Sequence, residues 1–207
     1  MSEHNAAVIG AGVVSFLPGL SLAQKDKVKL ALALAERATQ GAFEEGLVQD
    51  WFAYYRNQLK FMGWDAVTAE QIHWPDDSRT EQVDKVLSLI AKTAGGHFAD
   101  AVQLSLAKLL GNPKPLATLE HHAQARQHFQ LLPCAPAGEH RVDMVLYHEI
   151  DTRDVWSAGF LTRQRTLKNV RAELVRFNLL AFEHSHLPKV QQRVVEVSLN
   201  RILDYDL

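Results

Sequence analysis

The sequence predicts an α+β fold: a helix-rich half over residues 1–127, then a small antiparallel sheet with one or two closing helices over 128–207, within one domain 1–207. Three observations predict it. Apolar residues recur at helical spacing in successive stretches before His128. After His128 the spacing drops to two: Val142, Met144, Leu146, His148 and Ile150 alternate with Arg141, Asp143, Val145, Tyr147 and Glu149. A chain of 207 residues that is 47% hydrophobic and 22% charged can bury a sizeable core as a single α+β unit.

The elements follow in order. Ala6–Leu20 reads as a short buried strand or helix followed by a turn, packed against the helical layer. Leu22–Gln40 is a helix with Ser21 as N-cap, Val28, Ala31, Leu32 and Ala35 on one face, and Gly41 at its end. Ala42–Met62 places Phe43, Leu47, Trp51, Tyr54 and Leu59 near one core-facing stripe, stopped by Gly63. Trp64–Pro75 reads as a loop with a short extended piece. Ser78-Arg79-Thr80-Glu81 is a capping box opening a helix with Val83, Val86, Leu87 and Ile90 inward. His97–Leu110 carries Phe98, Ala101, Val102, Ser105 and Leu109, and Pro115 suits the first turn of a helix to about Gln127. Beyond it, Pro133-Cys134-Ala135-Pro136 breaks an extended run that starts at His128. Val155–Thr162 reads as the partner strand of Val142–Ile150. Leu167, Val170, Leu174, Phe177 and Ala181 fit a helix, and residues 190–203 fit either a helix or a strand.

Between Glu3 and Lys25 no charged residue occurs. Ala6–Ser15, with Gly10 and Gly12, looks like the first strand and turn of a dinucleotide-binding domain. Such a turn needs a helix whose N-terminus faces the phosphates. Ser15 replaces the third glycine, and Pro18 and Gly19 interrupt the helix that should follow, proline alone costing roughly 3 kcal/mol there. No nucleotide partner is therefore expected, NAD and FAD included. Met1–Asn5 lacks the basic residues of a secretion signal, and Pro18-Gly19 interrupts a membrane span. The expected location is the cytoplasm, or export without a cleaved signal, with membrane association open.

Composition narrows the function classes. A net charge of −2 argues against a nucleic-acid protein, and the basic run Arg163–Arg176 suits one polar face. The single cysteine, Cys134, excludes an internal disulfide and a cysteine-based zinc site. The chain has ten histidines. His121, His122 and His128 cluster, yet adjacent helical residues diverge, and His148 and Glu149 face opposite sides of a strand. No metal is expected, and no catalytic residues are assigned. Several histidines would charge below about pH 6.5. Two alternatives to a non-catalytic protein stay open. One is a small hydrolase using carboxylates of 143–154 (Asp143, Glu149, Asp151, Asp154) or Cys134 paired with His140 or His148. The other is a pH-responsive protein-interaction module.

Cys134 is the candidate site residue. Its neighbours Leu131, Leu132, Ala135 and Ala137 are apolar, Pro133 and Pro136 frame it, and no helix N-terminus follows to favour thiolate. That suits an attachment point better than a nucleophile. The lone Cys134 within Leu131–Pro136, the helix-then-sheet order and the absence of enzyme motifs resemble the Erwinia virulence factor family of bacterial proteins. The resemblance implies a non-enzymatic host-persistence factor, S-acylated with palmitate at Cys134 in an apolar groove. Its partner would be a lipid or membrane surface; ligand and protein partner are not specified by the residues.

Overall fold

A computed structural model describes residues 5–67, 82–150, 158–162, 170–188 and 205–206 of the chain. It is α+β, with one mixed sheet covered by helices on both faces. The first two strands, β1 (Asn5–Ile9) and β2 (Gly12–Phe16), form a hairpin through Gly10-Ala11. Helix α1 (Leu22–Glu44) and helix α2 (Trp51–Phe61) follow, then a three-residue strand β3 (Trp64–Ala66). Helices α3 (Gln82–Ala94), α4 (Gly96–Leu110) and α5 (Pro113–Arg126) come next. Strands β4 (His128–Pro136), β5 (Arg141–Ile150) and β6 (Val170–Asn178), helix α6 (Leu179–Ser185) and strand β7 (Tyr205–Asp206) complete the described order.

The sheet runs β3-β6-β5-β4-β2-β1-β7. Neighbours pair antiparallel except β2 with β4, which lie parallel in a register that sets Phe16 beside Cys134. The expected sheet of the second half is thus larger and mixed, because the N-terminal hairpin extends it. Both faces are dry. α1, α2 and α6 cover one, burying Val28, Leu32, Trp51, Leu59 and Phe182 against Phe16, Leu132, Cys134 and Phe177. α3, α4 and α5 cover the other, burying Ile90, Val102, Leu109 and Leu119 against Val13, Leu131, Val145 and Tyr147.

Local chemistry explains most helix ends. Ser21 and Gln24 exchange side-chain and backbone hydrogen bonds at the start of α1, a reciprocal capping box. Asp50 caps α2 by accepting from the Ala53 N–H at 3.0 Å. The expected break at Gly41 does not occur. α1 runs on to Glu44, and the chain turns through Gly46 at φ +72°. A lone helical glycine costs only about 1 kcal/mol, less than interrupting an otherwise good helix. The expected stripe shifts with the boundary: Phe43 and Leu47 are exposed, while Phe52 and Tyr55 join Trp51 and Leu59 in the core. α4 buries Phe98, Ala101, Val102, Ser105 and Leu109 as its spacing predicts.

Three further expectations are corrected. Pro133 does not break the extended run; β4 continues to Pro136, and its ladder with β5 lapses at 132–133, where proline has no N–H to give. The end of Val155–Thr162 is a 3-10 turn, Phe160–Thr162, and not a strand. The strand beside β5 is β6, where the sequence suggests a helix. Val170 to Leu174 alternates apolar and polar, but the phase flips at Leu174-Val175 as the strand's apolar contacts pass from one covered face to the other, so Val170, Leu174 and Phe177 mimic helical spacing. The capping box 78–81 and the stretch 190–203 lie outside the described residues.

Candidate functional site

The face of the sheet beneath α1 and α2 carries the chemistry. Strand alternation puts His128, Gln130, Leu132 and Cys134 of β4 on that face. Register adds His148 opposite Gln130 and Met144 opposite Cys134 from β5. The site therefore has an apolar end around Cys134 and a polar end around the two histidines.

At the apolar end, Cys134 has no solvent exposure. It sits among Phe16, Leu132, Val142 and Met144, and its Sγ donates weakly to the Leu132 carbonyl at 3.4 Å. Burial pushes its thiol up, away from thiolate. His148 is opposite Gln130, four residues along β4 from Cys134, or about 13 Å at strand rise. His140 lies in the turn before β5 and is half exposed. Neither histidine is placed to take the thiol proton, so the Cys134–His pair of the hydrolase reading does not form.

The two described carboxylates of that reading, Asp143 and Glu149, lie on opposite ends of β5 with separate partners. Asp143 accepts two hydrogen bonds from Arg176 at 2.6 and 2.8 Å. Glu149 is buried on the other face of the sheet, where the Tyr147 hydroxyl donates to it at 3.3 Å. Asp151 and Asp154 lie outside the described residues. Of the basic run, Arg171 is paired with Asp50 and Arg176 with Asp143.

The polar end holds residues that the sequence did not single out. Glu36 of α1 is buried and receives Arg126 Nη1 at 2.5 Å. This pair lies directly over Gly10, whose φ is +57° and where a Cβ would collide with both the guanidinium and the carboxylate. The Ala11 N–H faces the same carboxylate, and His122 Nδ1 donates to the Gly10 carbonyl at 3.0 Å. The glycine turn that looks like a phosphate loop is a tight hairpin cradling a buried ion pair. It leads into β2 and not into a helix. Burial pushes the Glu36 carboxyl up to about 7 against the pull of Arg126.

Trp51 of α2 closes the polar end. Its ring lies 4.8 Å from Tyr55, 4.0 Å from His128 and 5.2 Å from His148, parallel to the last within 1°. His128 Nδ1 donates to the Arg126 carbonyl at 3.2 Å, and the Gln130 amide donates to His148 Nδ1 at 3.4 Å. Those bonds assign opposite tautomers to the two rings. Nε2 of each is buried without a partner, as are Glu36 Oε2 and Trp51 Nε1. Burial drives His128 down to about 3, and drives His148 well below its usual range with His128 and Arg171 adding repulsion. The Tyr55 hydroxyl is held well above its usual range by burial and then by Glu36 and Cys134, so Tyr55 bridges the two ends.

Opposing proton linkages follow. Between pH 4.5 and 6.5 the unfolded chain protonates two histidines that the fold keeps neutral, while the folded state retains a Glu36 proton that the unfolded chain releases. Two against one makes stability fall with acid by about 1.4 kcal/mol per pH unit. Below about 4.5 Glu36 is protonated in both states and the slope doubles to about 2.7 kcal/mol per unit. From 6.5 to about 7 the histidines are neutral in both states and Glu36 alone makes stability fall as pH rises. Urea unfolding across this range should show these groups' optimum near pH 6.5, and His128→Phe should remove about one proton's worth of acid slope. An unchanged slope in that variant would contradict the burial of a neutral imidazole.

Two clefts lie near β3. One is lined by Arg56, Lys60, Trp64 and Val175, the other, of about 280 Å³, by Asp65, Arg141, Arg176 and Asn178. Neither borders Cys134. Among the described residues no group of three or more His, Cys, Asp or Glu is placed to hold a metal ion, and no helix is long and apolar enough to cross a membrane.

No family model matches the chain, and no curated protein matches it. A solved structure does. The chain is similar to the structure of the Evf virulence factor. The alignment covers 92% of this chain and 80% of that one, with 14% identity and a TM-score of 0.37. That is a weak structural relationship, and it is the extent of the support for the family resemblance.

Proposed function

We propose that this is a non-enzymatic bacterial binding protein whose interior between the sheet and the α1–α2 layer holds a hydrocarbon chain, thioester-linked to Cys134. Through that chain it associates with membranes, in a virulence or host-persistence role. The observation that carries this reading is the setting of Cys134. The chain's single thiol stands mid-sheet at the apolar end of this layer, and among the described residues no histidine or carboxylate is placed beside it. A carboxylate or imidazole there would favour nucleophilic catalysis; apolar walls favour a hydrocarbon, at about 0.8 kcal/mol per buried methylene. Acylation joins the sulfur to the acyl carbonyl carbon of a thioester donor, with the thiol proton leaving on the donor's thiol. The packed interior shields the sulfur, so this reading requires acylation before the layer closes or while it is open.

Intact mass tests it. Protein expressed in bacteria should carry an adduct of about 240 Da for palmitate, consistent with one-chain reversible anchoring. Neutral hydroxylamine should remove it, and Cys134→Ser should lack it while keeping the fold and losing retention on vesicles. An unmodified mass together with equal vesicle binding by both proteins would overturn the reading.

A further inference from the structure

We propose that the seam where α1 and α2 close over His128 and His148 is an acid-operated latch: charging the two imidazoles releases the Trp51 end of α2 from the sheet and opens the face that carries Cys134. This goes beyond the acylation reading and does not need a lipid.

The geometry leaves no place for the charge. An imidazolium needs an acceptor at each nitrogen. Nε2 of both rings is buried and unpartnered, with Trp51 stacked on His148 and tilted against His128. Stacking on an indole returns only part of what burying an unpaired charge costs. The surrounding groups add to the penalty. Arg126 and His122 reach the cluster from α5, and Arg171 of β6 lies opposite His148. Asp50, before α2, is already engaged by Arg171, and Glu173 of β6 by Arg56. Glu149 points to the opposite face. Tyr55 and Cys134 stay neutral in acid. Among the described residues only Glu36 is anionic at the seam, its Oε1 3.9 Å from His128 Nε2, and Arg126 already shares it. As the pH falls below about 7, Glu36 takes up a proton and that counter-charge weakens just as the histidines are driven to ionise.

α2 is the element that can yield. It is 11 residues long and hangs between Gly46 at φ +72° and Gly63 at φ +96°. Its face toward the polar end is the Trp51–Tyr55 stack itself. α3 and α4 pack on the other side of the sheet and take no part in the seam, which α5 reaches only through His122 and Arg126 at its C-terminal end. Acid should therefore loosen one layer before the other.

The test reads α2 and Cys134 separately. With wild-type protein, amide exchange corrected for intrinsic rates should rise at least tenfold across residues 51–61 between about pH 7 and pH 5, while α4 stays protected; a tenfold change corresponds to 1.36 kcal/mol. A disulfide reagent active in acid, 4,4′-dithiodipyridine, should label Cys134 with the same pH dependence. The double variant His128→Phe, His148→Phe should lose both rises. Flat exchange in α2, loss of α4 protection in step with it, or an undiminished rise in the double variant overturns the latch. If the double variant misfolds, the α2-against-α4 comparison in the wild type decides. If Cys134 emerges acylated and closed to the reagent, exchange alone gives the answer; if it emerges free, the latch is still tested while the acylation reading fails.

Discussion

Trp51→Ala should destabilise the protein by about 3–5 kcal/mol, the range for emptying a large aromatic from a core. Trp51 is 2% exposed and touches Tyr55, His128 and His148 at once. Its Nε1 has no hydrogen-bond partner, so the loss is one of packing and not of polar satisfaction. Against a typical folding stability of about 5–15 kcal/mol, such a loss approaches unfolding. Trp51→Phe keeps part of the stack and should cost roughly half as much. Urea unfolding at pH 7 measures both. A second consequence separates this site from an ordinary core position. Removing the indole lets water reach the imidazoles, which raises their proton affinity toward the usual 6.5 and flattens the acid slope. Loss of stability without that flattening would mean that Trp51 is not what keeps the histidines dry.

The parts of the fold that were readable are those where one local signal decides the outcome. The capping pair Ser21–Gln24, the apolar stripe of α4 and the turn after Leu110 needed no tertiary information. The strand β6 was not readable as one, because both of its faces are covered and its period-two pattern changes phase at Leu174-Val175. The run through Pro133 misled in the same way: proline argues against a central strand, yet one lapsed ladder step accommodates it. Ala6–Phe16 was legible as buried. Its partners were not, since a parallel pairing with residues 130–134 spans more than a hundred residues of chain.

The candidate site was half legible. The burial of Cys134 followed from its apolar neighbours. The polar end was hidden because its members come from five separate segments, around Gly10, Glu36, Trp51, His128 and His148. One signal was available: Glu36 lies on the stripe of Val28, Leu32, Ala35 and Thr39, a carboxylate on the face that α1 buries. A charge on an apolar stripe asks for a partner. The partner, Arg126, and the glycine that makes room for both could be joined only by the fold.

That glycine carries the other large effect. Gly10→Ala should destabilise the protein by about 3–4 kcal/mol, from two sources. A side chain at φ +57° adds roughly 1 kcal/mol of backbone strain. The new Cβ would also sit 2.7 Å from Glu36 Cδ and closer still to Arg126 Nη1, so the ion pair must part. Separating a buried pair leaves an uncompensated charge at a cost of about 3–5 kcal/mol. The figure here is lower because Glu36, with its carboxyl already near 7, escapes by taking a proton, and Arg126 is partly exposed. Gly12→Ala is the control: its Cβ would lie 3.3 Å from Gln130 Cβ, a crowding that small shifts relieve, and about 1 kcal/mol is expected. A double-mutant cycle separates the two sources. In Glu36→Ala the pair is already gone and the partly exposed Arg126, no longer held by the carboxylate, is free to swing off the turn, so adding Gly10→Ala should cost only the strain. The resulting coupling of about 2–3 kcal/mol is what residues in direct contact show. Additive losses would mean that the turn and the ion pair are independent, and that Gly10 is glycine for its backbone alone.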